Sequence, residues 1–359
     1  MELLFKNKET KEKILSKAKK VLPIAIDENS SYLFCGDNFE VMSGLLNSKK
    51  EFIDLVYIDP PFNTNQSFFV STNRANTISR ERESTVAYND LMTEDEFIKF
   101  MYERFVVIYE LLSDEGSLYV HADTKIGHYF KIILDEIFGA KNFKNDITRI
   151  KSNPKNFDRK AYGNEKDMIL FYSKNPQTHI WNDIKTDLDE NELIDKFAKI
   201  DADGRRYTTS PLHAPGETEN GITGAAWRGM LPPAGRHWRT SPEEFEKMDA
   251  LGLIEWSKNG NPRIKKYADE HKGKKIQDIW KYKDPQYPKY PTQKNAEMLE
   301  LIIKQSSREN SIVMDCFAGS GTTLLASAKL GRKFIGIDSS KIAIDIIKNR
   351  LFEKKISYK

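Results

Sequence analysis

Asp315-Cys316-Phe317-Ala318-Gly319-Ser320-Gly321-Thr322-Thr323, entered from the apolar run Ile312–Met314, decides how this 359-residue chain is read. An apolar run that passes through a glycine turn into a helix is one strand–turn–helix unit of an α/β sheet. Glycines let the backbone approach a ligand, and the helix N-terminus offers it free N–H groups. The next apolar run, Lys333–Ile337, leads to Asp338 in FIGIDSS. A carboxylate at the end of that strand binds ribose hydroxyls in Rossmann-like folds. The turn is not a dinucleotide fingerprint, because Leu324 stands where the third glycine belongs. No Gly-Lys-Ser/Thr follows at the spacing of a phosphate loop either. Such a turn suits a nucleoside bearing an amino acid better than a pyrophosphate.

Far upstream, Asp59-Pro60-Pro61-Phe62 follows the buried-strand candidate FIDLVYI (Phe52–Ile58). Two successive prolines stop sheet pairing and fix an extended turn. The Asp59 carboxylate, the Pro60 carbonyl and the Phe62 ring then sit at the carboxyl end of a strand, where α/β sheets bind ligands. Two acceptors and one aromatic face suit a planar base that carries an NH₂ group. A plain Asp-Pro-Pro turn is common, so the glycine turn in the same chain is what gives this reading its weight.

Between and around these motifs, strand and helix periods alternate at both ends of the chain and fade in the middle. Tyr32–Cys35, Gly116–His121 and Asp167–Tyr172 read as strands; Phe39–Leu46, Thr93 to about Leu112 and Lys125–Phe138 read as helices. A polar stretch, Asn63–Asp90, carries Arg74, Arg80 and Arg82 and is long enough to be either functional or structureless. From about residue 175 to 288 lie all five tryptophans and turn clusters such as GMLPPAG. That segment reads as a separate α+β insertion. After it come a helix from about Asn295 to Ser306, the glycine turn, and helix Ile342–Leu351. The expected organisation is a helical extension over 1–30, one half of a sheet domain over 31–175, the insertion over 176–289 and the second half over 290–359.

Bulk composition excludes more than it assigns. With 56 basic and 53 acidic residues the net charge is +3, which says nothing about nucleic acid. The two cysteines, Cys35 and Cys316, are far apart, and the histidines form no metal-ligand spacing, so no metal is expected. No apolar run is long enough to span a membrane and the N-terminus lacks an apolar signal segment, so a cytoplasmic location is expected. Locally the balance shifts: Glu255–Lys289 holds ten Lys/Arg against five Asp/Glu, with aromatic residues between them. Alone that is a solvated surface; beside the two motifs it reads as a phosphate-binding face.

The order of the motifs, together with GSLYVHAD, KDMILFYSK and YPTQK, closely resembles the β class of amino-directed DNA methyltransferases. There the Asp-Pro-Pro-aromatic motif precedes the glycine motif, with target recognition between them. AAWRGMLPPAGRHW and IQDIW look like recognition regions of type III and related type II modification enzymes. The resemblance covers nearly the whole chain after residue 30. It implies a Rossmann-like doubly wound methyltransferase sheet, circularly permuted, with an inserted α+β target-recognition domain. It also implies S-adenosylmethionine as cofactor and double-stranded DNA as partner. A restriction endonuclease partner and a homodimer stay open.

By the same resemblance Asp315, Phe317, Gly319, Gly321 and Thr322 form the cofactor turn and Asp338 meets the ribose. Asp37 in CGDN contacts the cofactor adenine, and Thr292 and Lys294 lie near its methionine end. His121 reads as a strand-end histidine. Asp59, Pro60, Pro61 and Phe62 carry catalysis on a flipped base. Ser-Pro-Pro is commoner in the cytosine-N4 members, so Asp59 favours adenine N6. A C5-cytosine route is disfavoured, since neither cysteine follows a proline. A cytosine-N4 enzyme and a catalytically silent DNA-binding module are the alternatives. Arg228, Arg236 and Arg239 are expected to read bases, and Lys265, Lys266, Lys274 and Lys275 to meet phosphates.

Overall fold

The computed structural model describes residues 2–60, 92–152, 160–218, 220–284 and 294–359, with the backbone of Ser67–Val70, Ala75–Asn76 and Thr85–Asn89. The chain divides into two compact units, one of residues 1–184 and 277–359, the other of Lys185–Ile276.

In the first unit the chain runs α1 (Lys11–Ala18), β1 (Tyr32–Cys35), α2 (Asn38–Ser48), β2 (Ile53–Ile58), α3 (Glu94–Leu111), β3 (Leu112–Ala122) and α4 (Gly127–Phe138). It continues with β4 (Phe143–Ile150), β5 (Lys166–Ser173), β6 (Ile279–Trp280), α5 (Ala296–Ser306), β7 (Ile312–Asp315), α6 (Thr322–Lys329), β8 (Lys333–Asp338) and α7 (Lys341–Glu353). Helix starts follow their capping chemistry. Thr93 and Glu96 close a capping box on α3, Asp37 caps α2 and Ser340 caps α7.

The eight strands form one sheet in the order β1-β8-β7-β2-β3-β5-β4-β6. The run from β1 to β3 is parallel throughout, and only β5 opposes its neighbours. The side-chain period of 2 buries the sheet on both faces. On β8, Ile335 and Ile337 join the core that holds residues of α1 to α4. Phe334, one residue before them and on the opposite face, joins a second core with Leu324 of α6 and Ile344 and Ile347 of α7. This is the mixed α/β, Rossmann-like doubly wound sheet expected. Strand β7 is seventh in the chain yet lies between β8 and β2, so the chain winds away from it on either side. Ligands bind at such switch points.

Several boundaries differ from the sequence reading. The N-terminal helix is confined to Lys11–Ala18. Two strands, β4 and β6, were not expected. Strand β6 belongs to the large sheet although it lies in the stretch read as insertion.

In the second unit, strands Lys199–Ile200, Arg206–Pro211, Pro262–Tyr267 and Ile254–Trp256 form an antiparallel sheet. Leu212, Trp227, Trp238, Phe245 and Ile254 make its core. At the unit's two ends, Lys185–Thr186 pairs antiparallel with Lys274–Lys275, so Lys185 faces Lys275.

Candidate active site

Three carboxylates stand at the carboxyl ends of three adjacent parallel strands. Asp315 ends β7, Asp338 ends β8, and Asp59 follows the last residue of β2. Strands β7 and β2 are direct neighbours, with Met314 beside Val56. The two motifs therefore leave adjacent strands.

The glycine turn is built by its own polar groups. Asp315 Oδ1 accepts the Phe317 N–H at 3.0 Å, and Asp338 accepts those of Gly319 and Ser340, both at 2.8 Å. Gly321 is left-handed, with φ of 74°, and a Cβ there would stand 2.8 Å from the Ile347 side chain. Neither condition admits a side chain without strain. The Thr322 hydroxyl lies 3.0 Å from Ser320 Oγ and 3.3 Å from the Arg350 guanidinium, and Arg350 also donates to the Ser320 carbonyl. Thr322 thus braces the turn from inside the protein.

Burial dominates the electrostatics. It raises the Asp315 carboxyl to about 7, against partial relief from the Thr323 hydroxyl and the Phe317 N–H; Asp59 and Asp338 push it further up. Burial also raises Asp338, opposed by the Ser340 and Gly319 N–H groups.

Asp59 is held on one side only. Its Oδ2 lies 2.9 Å from Lys294 Nζ. Its Oδ1 is buried and has no hydrogen-bond partner among the described residues. An ionised carboxylate oxygen left in that state is costly unless a donor arrives. Pro60 is buried beside it. Pro61, Phe62 and Thr292, like Arg74, Arg80 and Arg82, lie outside the described residues.

At the end of β1, Asp37 caps α2 and pairs with Arg104 Nη2 at 2.8 Å. Arg104 is buried, its guanidinium 3.3 Å from the Phe100 ring centroid, and Phe100 packs against Phe317. Asn38 Nδ2 donates to the Cys316 carbonyl at 2.8 Å. Asn38 and Arg104 thus tie the β1 end to the glycine turn, and sequence reasoning missed both. Arg104 sits mid-helix on α3, and nothing local in the sequence separates it from a surface arginine.

In the second unit the basic residues divide. Arg228 is left-handed (φ 49°) and its guanidinium is taken up by Glu246 and Asp249. It also lies over the Trp227 and Trp256 rings. In this structure its donors are taken by carboxylates of its own unit. Lys265 is bound to Asp201 at 2.8 Å and Lys274 to Glu192. Arg236, Arg239, Lys266 and Lys275 are exposed. Arg236 lies on a short strand whose Trp238 is core, and one guanidinium nitrogen is 3.3 Å from His213 Nδ1.

Residues 53–349 match the family model described as DNA methylase, of the N6/N4 type. This chain belongs to the N6/N4 DNA methylase family. The methylase is 37% identical over 327 residues to the type II methyltransferase M.EcaI of Enterobacter cloacae, covering 89% of this chain and 69% of that one. It is 26% identical to the StyLTI Mod subunit of the type III restriction-modification enzyme of Salmonella typhimurium, spanning 86% of this chain and 52% of that subunit. Among solved structures, the M1.HpyAVI–SAM complex aligns over 89% of the methylase and 99% of that chain, at 18% identity and a TM-score of 0.45. Among the described residues no helix is long and apolar enough to cross a membrane, and no group of three or more His, Cys, Asp or Glu side chains is placed to hold a metal ion.

Proposed function

We propose that the methylase transfers a methyl group from S-adenosylmethionine to N6 of adenine in double-stranded DNA, as the modification component of a restriction-modification system. The observation that carries this reading is the Asp59 carboxylate: Oδ2 is held by Lys294, while Oδ1 is buried and has no donor among the described residues. An exocyclic amino group brings the N–H donor that this oxygen lacks. When bound, S-adenosylmethionine supplies an electrophilic methyl group on a sulfonium.

The amino nitrogen is a poor nucleophile because its lone pair is shared with the ring. A hydrogen bond from the amino group to Asp59 Oδ1, with the Pro60 carbonyl as second acceptor, draws the nitrogen toward tetrahedral geometry. The same oxygens stabilise the positive charge that grows on nitrogen as the N–C bond forms and the methyl–sulfur bond breaks, and the methylated amino group then gives up one proton to solvent. The residues that would hold the cofactor are those of the glycine turn from Asp315 to Thr322, with Asp338 for the ribose hydroxyls and Asp37 for the adenine. Alignment, not covalent chemistry, is the enzyme's part. The target base must leave the duplex to reach a carboxylate buried at the strand ends.

Asp59, rather than serine, favours adenine N6 over cytosine N4. The test is direct. Unmethylated genomic DNA is incubated with the chain and labelled cofactor, and the digested nucleosides are separated. Label in N6-methyladenosine supports the reading. Label in N4-methylcytosine overturns the choice of base, and no label in any base overturns the activity.

A further inference from the structure

Behind Asp59, a chain of buried polar side chains crosses β2, β3, β5 and β4, and the reaction as described leaves it unused. Tyr57 Oη lies 2.9 Å from His121 Nδ1, and His121 Nε2 lies 3.2 Å from Asp167 Oδ2. The same Asp167 oxygen accepts Arg149 Nη1 at 3.3 Å, while Lys151 donates to Oδ1 at 2.6 Å. Arg149 turns its Nε to the Tyr282 carbonyl at 2.8 Å and Nη2 to Asp284. Tyr57, His121, Asp167 and Arg149 are each no more than 2% exposed. Apolar residues would fill these sheet positions without the desolvation penalty that polar ones carry.

The chain closes on Asp59 from both directions. At one end Tyr57 is two residues before Asp59. At the other, Arg149 fixes Tyr282 and Asp284, and the Lys283 carbonyl between them accepts Asn295 Nδ2 at 2.9 Å. Asn295 follows Lys294, whose ammonium holds Asp59 Oδ2 at 2.9 Å. The result is a ring of side chains and short backbone links with the Asp59 carboxylate as one member. The Asp167 carboxylate can only accept, so His121 Nε2 carries a hydrogen. In the neutral imidazole Nδ1 then accepts from the Tyr57 hydroxyl. Burial and the nearby Lys294 push the His121 pKa down, against the pull of Asp167 and Asp59.

We propose that Tyr57, His121, Asp167 and Arg149 are positioning residues that set the direction of the Asp59 carboxylate, so that Oδ2 stays on Lys294 and Oδ1 faces the target amino group. This rests on the methyl-transfer reading. None of the four touches the reacting atoms; each acts through Asp59 or Lys294.

The test compares the unaltered chain with Tyr57→Phe, His121→Leu and His121→Gln on unmethylated duplex DNA, with kcat, both KM values and melting temperature measured. Glutamine offers one acceptor and one donor, as neutral imidazole does, and leucine offers neither. Tyr57→Phe and His121→Leu are expected to lower kcat by roughly 10- to 100-fold with both KM values unchanged, because small misplacements at a reacting centre have that effect. His121→Gln is expected to recover most of the loss. Wild-type kcat in His121→Leu, or a glutamine variant as impaired as leucine, overturns the inference. Should His121→Leu fail to fold, Tyr57→Phe, which removes one hydroxyl, decides: unchanged kcat overturns the proposal and a selective kcat loss supports it. Absence of methyl transfer by the unaltered chain overturns the functional reading, and this inference with it.

Discussion

Among the described residues Asp59 Oδ1 is a buried acceptor without a donor, and its removal separates catalysis from cofactor binding. Asp59→Ala is expected to lower methyl transfer by at least about 100-fold, the scale seen when one oriented hydrogen-bonding group is lost from a reacting centre. The cofactor dissociation constant, measured by calorimetry, should change little. Asp338→Ala should do the reverse. It strips the acceptor from the Gly319 and Ser340 N–H groups and should weaken cofactor binding first. Asp315 gives a pH signature. Its carboxyl sits at about 7 in the folded chain against an ordinary 3.8, so the folded chain keeps a proton that the unfolded chain releases. That contribution to stability is fullest below the ordinary value and is lost as pH rises from about 4 through about 7. The melting temperature of cofactor-free protein should fall across that window, and Asp315→Asn should flatten the fall. An equal slope in the variant would place the titration elsewhere.

At the scale of elements, the glycine turn is the least forgiving. Gly321→Ala meets Ile347 and a left-handed φ together, and strain of that kind costs roughly 1–3 kcal/mol. A lower melting temperature and weaker cofactor binding in one variant would show that the turn and α6 share that strain. The same element shows why so much could be read in advance. Its chemistry is written in consecutive residues, Asp315 to Thr323, and so is that of Asp59 and Pro60. Strand β4 (FKNDITRI) was missed because charged residues interrupt its alternation; its Arg149 is buried only because Asp167 and Asp284, distant in sequence, come to meet it. Arg104 was missed for the same reason, its partner Asp37 being 67 residues away. Arg228 shows the converse. A tryptophan–arginine turn reads alike whether the arginine faces a base or a carboxylate, and in this structure Glu246 and Asp249 hold it.

At the scale of the whole molecule, we propose that specificity and chemistry fall to different stretches of chain. Arg236→Ala or Arg239→Ala should relax sequence choice at one position, costing about 1–3 kcal/mol of discrimination. Arg228→Ala should instead lower the stability of its own unit. Methylation of a randomised duplex library, read by sequencing, separates these outcomes; unchanged site preference in folded Arg236 and Arg239 variants would move base reading to other residues.

The pairing of Lys185 with Lys275 has a consequence in heredity. Paired antiparallel residues lie about 5 Å apart, so everything between them leaves and rejoins the chain at one doorway. A recombination event with both crossover points in that doorway exchanges the intervening segment whole and leaves the strands bearing Asp59, Asp315 and Asp338 unbroken. On the proposed reading, in which that segment recognises the target, a lineage of such chains can change its target by trading one cassette of sequence, without passing through an ancestor that has lost its chemistry.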